Sequence, residues 1–377
     1  MKPATLEFIR QRFTEYYKKT VLVAPSSIEQ REWGFVLFSP GYPEIHMRRH
    51  IAFSSRDELF EYLKNLVPAH VYYSSAYYEQ PDAPTMKDKH WLGADLIFDL
   101  DADHIMRGPY DVMLARVKEE TEKLFVFLTV EFGIDPKTID IVFSGGRGYH
   151  VHVKDIAFRS WGSAERRELI DYVCGIGIDP SAMLQKTAPP HQGWQVRYRD
   201  TIIDYLQWLG TLPKKDAVTH LSAIPGIGKV SAEDLLEQRE VIVAELTHSP
   251  TATLLKKFRG LSLIVSAEGG EFKKRLLERA ALADEPVTTD TKRLIRMPTS
   301  LHGGSGLRVQ QIEARDLAAF DPLTDAVAFG TRDVRVDIRL SLTMPMLGST
   351  YQLAKGITTV PEMVAVFLCC RGMADII

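Results

Sequence analysis

The chain has 377 residues, of which 45% are hydrophobic and 25% charged, and its 46 Lys and Arg stand against 49 Asp and Glu for a formal net charge of −3. That length admits a large core with an appended subdomain, and the even composition, without low-complexity stretches or a fixed-period repeat, excludes a disordered or solenoid chain. Overall basicity is excluded as the means of holding nucleic acid, so any such surface must be local. Local clusters exist in Met47-Arg48-Arg49-His50, in Lys256-Lys257-Phe258-Arg259, and in Lys292-Arg293 with Arg296. No apolar run reaches the roughly 18 to 20 residues of a membrane span. Met1 to Tyr17 lacks the order of a signal peptide. A soluble, cytoplasmic protein with no membrane association is expected. The three cysteines, Cys174, Cys369 and Cys370, show no CxxC spacing and suit a reducing compartment.

In chain order, residues 1 to 20 read as a helix with Leu6, Ile9, Phe13 and Tyr16 or Tyr17 on one stripe. Strands follow over 32 to 38 and 45 to 53, separated by a Ser-Pro-Gly-Tyr-Pro turn, then a helix over 55 to 66 and a short strand at 71 to 73. Leu96 to Asp101 is a strand, and 111 to 133 a long amphipathic helix. Ile139 to Phe143 and Tyr149 to Val153 are strands around a Gly-rich turn, and a helix spans 163 to 176. Residues 200 to 285 are mostly helical. Strand character returns at 293 to 313 and 334 to 340, before a last helix over 361 to 371. The order predicts an α/β (α+β) body interrupted by a helical insertion.

Three segments carry candidate chemistry. In Asp95-Leu96-Ile97-Phe98-Asp99-Leu100-Asp101, the two-residue period of a strand sends Phe98 and Leu100 to one face and Ile97, Asp99 and Asp101 to the other. Two carboxylates roughly 6 to 7 Å apart on one edge suit paired hard divalent cations. The plain alternative is an acidic strand end. A calcium loop fails, because counting from Asp99 puts His104 at the glycine position and Tyr110 at the bidentate Glu position.

In the second segment, Ser144-Gly145-Gly146-Arg147-Gly148-Tyr149-His150-Val151-His152, the glycines let backbone amides converge on a phosphate. Arg147 adds a charged fork and His150 a hydrogen bond to a triphosphate oxygen. The spacing is neither a Walker A loop nor a dinucleotide fingerprint, and a simple hairpin turn is the alternative. The third, Val287 to Gly304, holds a further carboxylate, Asp290, then cations including Arg296, and His302 before glycines. Alone it reads as a solvated loop and strand. Together the three supply the acids, cations and histidines of a two-metal phosphoryl-transfer site.

Taken with Arg31-Glu32-Trp33-Gly34-Phe35, Met47 to Phe53 and Trp91 to Asp95, these segments resemble, in the same order, the motifs of the archaeo-eukaryotic primase superfamily, and specifically the small, catalytic subunit of archaeal and eukaryotic-type DNA primase. The resemblance covers about residues 1 to 200 and 286 to 345. It implies a primase-type mixed-sheet catalytic domain over 1–200 and 286–377, with a helical insertion at 201–285. It implies template-directed synthesis of short RNA primers, and of DNA too, on single-stranded DNA from nucleoside triphosphates. Two Mg²⁺ or Mn²⁺ ions would sit on Asp99, Asp101 and Asp290. The nucleotide would be held by Ser144, Arg147, His150, Arg296 and His302, with Arg49, or its neighbour Arg48, as a further contact. The implied partner is the primase large subunit. The cysteine and histidine cluster of many relatives is missing from 104 to 133, so no structural zinc is expected.

Within the insertion, 217 to 237 resembles a helix-hairpin-helix: Gly226-Ile227-Gly228-Lys229 bares amides at a helix start, where they can bind a DNA backbone phosphate or simply close a turn. The rival readings are a repair or translesion polymerase of the same superfamily, a catalytically silent nucleic-acid-binding subunit, and a metal-dependent nuclease. The silent subunit predicts loss of an acid, and the nuclease gives no reason for the Ser-Gly-Gly-Arg turn.

Overall fold

The computed structural model describes residues 1–39, 41–44, 46–179, 193–247, 251–267 and 270–377. Pro40 of the expected turn and Ile45 at the start of the expected second strand lie outside them. The first helix, Pro3–Lys19, begins on a proline, whose missing N–H costs nothing in a first turn, and it buries Ile9, Phe13, Tyr16 and Tyr17. Arg56–Leu66 is capped by Ser55, whose hydroxyl accepts from the Glu58 amide at 3.3 Å, while Glu58 accepts from the Ser54 amide at 2.8 Å.

The strands are β1 (Trp33–Leu37), β2 (Met47–Ile51), β3 (Pro68–Ser74), β4 (Ala76–Tyr78), β5 (Trp91–Ala94), β6 (Leu96–Asp101), β7 (Ile139–Phe143), β8 (Gly148–Val153), β9 (Leu294–Arg296) and β10 (Gln310–Ile312). They are followed by β11 (Asp333–Ile338), β12 (Leu342–Met346), β13 (Ser349–Leu353), β14 (Gly356–Pro361) and β15 (Ala374–Ile376). Two four-stranded sheets dominate, in the orders β2-β1-β3-β9 and β10-β7-β8-β6. The α+β class therefore stands. Every strand pair among the described residues is antiparallel, so no parallel pair of a mixed sheet occurs among them.

The chain divides into two compact units, one of Met1–Phe125, Gly133–Ile170 and Leu282–Ile377, the other of Val126–Phe132 and Asp171–Ala281. The helical unit thus begins earlier than the expected residue 201 and takes in a short stretch from the end of the helix at 110 to 126. The reason lies in Trp194–Thr211, which buries Trp194, Tyr198, Ile202 and Tyr205. Phe127 lies 6.2 Å from the Trp194 ring, and Glu131 pairs with Arg197. Within this unit Lys214–Ser222 and Lys229–Leu246 form the expected hairpin: Gly226 takes φ +89°, Ile227 is buried, and exposed Lys229 opens the second helix. Among the described residues no helix is long and apolar enough to cross a membrane.

In the first unit, the Arg31-Glu32 and Asp95 positions turn out to be structural. Arg31, 1% exposed, donates to Asp95 at 2.7 Å and to the carbonyls of Ser74 and Ser75 at 2.9 and 2.8 Å. Arg166 caps the Ala94 and Asp95 carbonyls at 2.9 and 3.0 Å, which ties β5 and β6 to the helix Ser163–Cys174. Removing one partner leaves an uncompensated buried charge. Asp95→Ala is therefore expected to destabilise the protein by about 3–5 kcal/mol in urea unfolding, and Asp95→Asn by less. Equal unfolding midpoints for Asp95→Ala and the parent would show that the pair contributes nothing.

Candidate active site

The β6–β8 register sets Asp99 opposite His150 and Asp101 opposite Gly148, which makes the acidic edge and the Gly-rich turn neighbours in space. Gly148 is required there, since an added Cβ would lie 2.1 Å from the Leu100 carbonyl oxygen. The turn is closed by Ser144, whose amide donates to the Gly148 carbonyl at 2.9 Å and whose hydroxyl accepts from the Gly146 amide at 3.3 Å. Gly145, at φ +74°, has no room for a Cβ, which would meet the His302 Cβ at 2.7 Å. His302 packs against this turn, with its Nδ1 3.2 Å from the Ser305 hydroxyl; that hydroxyl donates to the Gly145 carbonyl at 2.5 Å.

Six of the expected residues meet around one cavity of about 590 Å³: Asp99, Asp101, Ser144, Arg147, His150 and His302. Arg296 joins them from β9, whose register puts it opposite Tyr72 on β3. Burial, then the neighbouring Asp101, raises the Asp99 carboxyl to about 7, with Arg293 and Arg296 opposing. Burial, then Arg296 and Arg293, lowers His150 to about 3. The 3.4 Å approach of His150 Nε2 to Asp99 is accordingly a polar contact of a neutral imidazole and not an ion pair. Arg147 is aimed by Asp103 at 2.5 Å, with Asp101 at 3.9 Å.

Two expected residues are not brought to the cavity. Arg49 is held by the carboxylate of fully buried Glu32 at 2.9 and 3.3 Å, with buried Lys89 at 3.6 Å from the same group, and it does not line the cavity. A buried acid needs cations around it, and Arg49 answers that need. Asp290 is exposed and spends its carboxylate on the Lys292 amide at 2.9 Å; its charge is felt by Tyr78 and Arg166. Asp284, six residues upstream, does not line the cavity either, but its amide donates to the Asp99 carbonyl at 2.8 Å and its charge acts on the Asp99 carboxyl. The helix Glu285–Thr289 lies between the two acids, which flank it as extended N-cap and C-cap residues. The resemblance placed the third metal-binding acid on Asp290, and nothing in the sequence singled out Asp284.

His70 on β3 was also missed. It is buried, and its Nδ1 lies 2.6 Å from Arg296 Nη1 and accepts from the Gly303 amide at 3.4 Å. Burial, then Arg296, holds its pKa well below the usual value, so it is a neutral acceptor. Its ring stands edge-on to His302 with centroids 4.9 Å apart, and the Arg296 guanidinium lies 4.9 Å over Tyr72. Nothing in its own segment of the sequence flagged it.

The donor set suits a hard cation. It consists of carboxylate oxygens, and the rise in Asp99 reports a negative charge held beside another without full solvation. Among the described residues no group of three or more His, Cys, Asp or Glu side chains is placed to hold a metal ion.

The profile of the DNA primase small subunit family matches residues 98–314. The chain is 65% identical over 376 residues to the DNA primase small subunit PriS of Methanoregula boonei, covering 100% of both chains. It is 55% identical over 376 residues to that of Methanosphaerula palustris, covering 100% of this chain and 99% of the other. The PriS of Methanothrix thermoacetophila is 42% identical over 410 residues, with full coverage of both.

Proposed function

Because the chain belongs to the DNA primase small subunit family, which makes primers by nucleotidyl transfer, we propose that its cavity joins nucleoside triphosphates into short RNA primers, and DNA as well, on single-stranded DNA. The observation that carries this reading is the β6–β8 register, which makes the acidic edge and the phosphate-type turn one wall, faced by Arg296 and His302. Asp99, Asp101 and Asp284 would hold two Mg²⁺ or Mn²⁺ ions, which supply charge neutralisation and lower the pKa of the attacking 3′-hydroxyl. The Gly146 and Arg147 turn and Ser144 cradle phosphate oxygens. His150, kept neutral, donates a hydrogen bond without adding charge next to Asp99. Arg296, braced by His70 and Tyr72, offsets charge on the leaving pyrophosphate. The exposed hairpin of Gly226, Gly228 and Lys229 serves as a secondary contact to the DNA backbone. The primase large subunit is the partner, and the cytoplasm the compartment.

The assay is incorporation of labelled nucleotide on single-stranded DNA, with and without a large subunit. EDTA is expected to abolish incorporation and added Mg²⁺ or Mn²⁺ to restore it; undiminished labelling in EDTA would remove the metal assignment. Gly226→Glu is expected to weaken template binding several-fold, because it puts a carboxylate where a phosphate would dock. For His70→Ala we expect KM for the nucleotide to rise about tenfold, the scale of one hydrogen bond to a charged group, with kcat changed less. His70→Gln, which keeps an acceptor, should recover part of that loss. An unaltered KM in His70→Ala would mean that Arg296 needs no brace.

A further inference from the structure

One cavity cation comes from a part of the chain that neither the primase motifs nor the family profile reaches. The helix Glu362–Cys370 ends at the cavity and delivers Arg371 to its rim. The guanidinium lies 4.5 Å from the Tyr110 ring and 5.3 Å from the Phe367 ring, and those two rings meet edge to face at 5.4 Å. Among the described residues no carboxylate forms an ion pair with it. Of the cavity's other cations, Arg147 is engaged by Asp103 and Asp101 and Arg296 by His70, while Arg293 acts on Asp99 at the acidic end. Two rings therefore hold Arg371 in place while its five donors stay available.

Its position along the cavity follows from its neighbours. The charges acting on Asp99 are Asp101, Arg293, Asp284 and Arg296, which define the acidic end. Arg371 is not among the charges acting on Asp99; it acts on Tyr110, ahead of Arg147 and Asp101, and on His302, after Arg296, His70 and Arg147. The Tyr110 hydroxyl donates to the Gly146 carbonyl, so Arg371 is tied to the phosphate-type turn through a single aromatic ring. On the proposed reading the reacting α-phosphate would sit at the acidic end, beside the carboxylates that would hold the metal ions. The remaining phosphates then run past Arg147 and the turn towards Arg371.

Resting on the proposed nucleotidyl-transfer reading, we infer that Arg371 binds the terminal phosphate of the incoming nucleoside triphosphate and so distinguishes a triphosphate from a diphosphate. A guanidinium fork matches the geometry of a terminal phosphate, whose oxygens are not shared with a second phosphorus. The inference assigns the C-terminal helix a part in substrate choice that its remoteness from the three motifs conceals.

The test is equilibrium binding of ATP, ADP and AMP to the full chain in Mg²⁺, without template. The parent is compared with Arg371→Met, which keeps the aliphatic packing over Tyr110, and with Arg371→Lys, which keeps the charge. Arg371→Met is expected to lose about tenfold in ATP affinity with ADP and AMP nearly unchanged, and Arg371→Lys to lose less. Circular dichroism confirms that each variant is folded. An ATP-to-ADP affinity ratio in Arg371→Met equal to the parent's overturns the inference and leaves the reaction assignment standing. Equal weakening of all three nucleotides, or weakened binding of single-stranded DNA alone, also overturns it and points to general attraction or to a strand phosphate. A parent that binds ATP and ADP alike sinks the triphosphate reading and this inference together.

Discussion

Asp99→Asn is expected to lower nucleotide incorporation about a thousandfold while leaving the protein at least as stable as the parent. The first half follows from charge: an amide cannot supply the anionic oxygen that a divalent cation needs, and metal-borne stabilisation of a phosphoryl transition state amounts to several kcal/mol. The second half follows from the sign of the Asp99 shift. Burial and the Asp101 carboxylate raise this acid from its ordinary value to about 7, so above that pH the fold carries the cost of an ionised group it would sooner protonate. Asn removes the charge, keeps the shape, and still meets His150, 3.4 Å away in the parent. The melting temperature at pH 8 in EDTA should hold or rise. A variant that melts earlier and still incorporates label would reverse both halves and recast Asp99 as a structural acid.

Asp284→Asn and Asp290→Asn, six residues apart, are expected to part by about a hundredfold in the same assay. Asp284 is joined to β6 by the hydrogen bond its amide donates to the Asp99 carbonyl, and its charge reaches the Asp99 carboxyl, so its loss strips the acidic end of a third anion. Asp290 is exposed and serves its own turn by accepting from the Lys292 amide. Its replacement should cost no more than about twofold, the ordinary range for a surface position. If Asp290→Asn instead proves the inactive variant and Asp284→Asn the active one, the site as assembled here is wrong at its third acid, and Asp290 must swing inward when substrate binds.

The pattern of strands and helices was legible because it depends on local chemistry. Alternation along Leu96 to Asp101 placed Phe98 and Leu100 in the core and put Asp99 and Asp101 together on the other face. Glycines around Arg147 announced a turn between two apolar strands, and β7 and β8 flank it within a residue of the expectation. The same local reading failed where a side chain's role depends on a distant partner. The resemblance offered Arg49 as a nucleotide contact, and nothing in its own segment shows that Glu32 is buried beneath it. His70 and Arg371 looked ordinary, since Arg296 and Tyr110 lie 226 and 261 positions away in the chain.

From its own residues, then, this chain settles the two-carboxylate edge, the phosphate-type turn and the later cationic segment, because periodicity and glycine spacing act over a few bonds and need no tertiary information. Folding alone decides which of the two later acids lies nearer Asp99. A short helix, Glu285–Thr289, separates Asp284 from Asp290, and only the way it seats against β6 gives Asp284 the contact with Asp99 and leaves Asp290 in solvent. That seating is a packing result, set by buried Val287, Thr288 and Thr289 and not by any property of the two carboxylates, which are chemically identical.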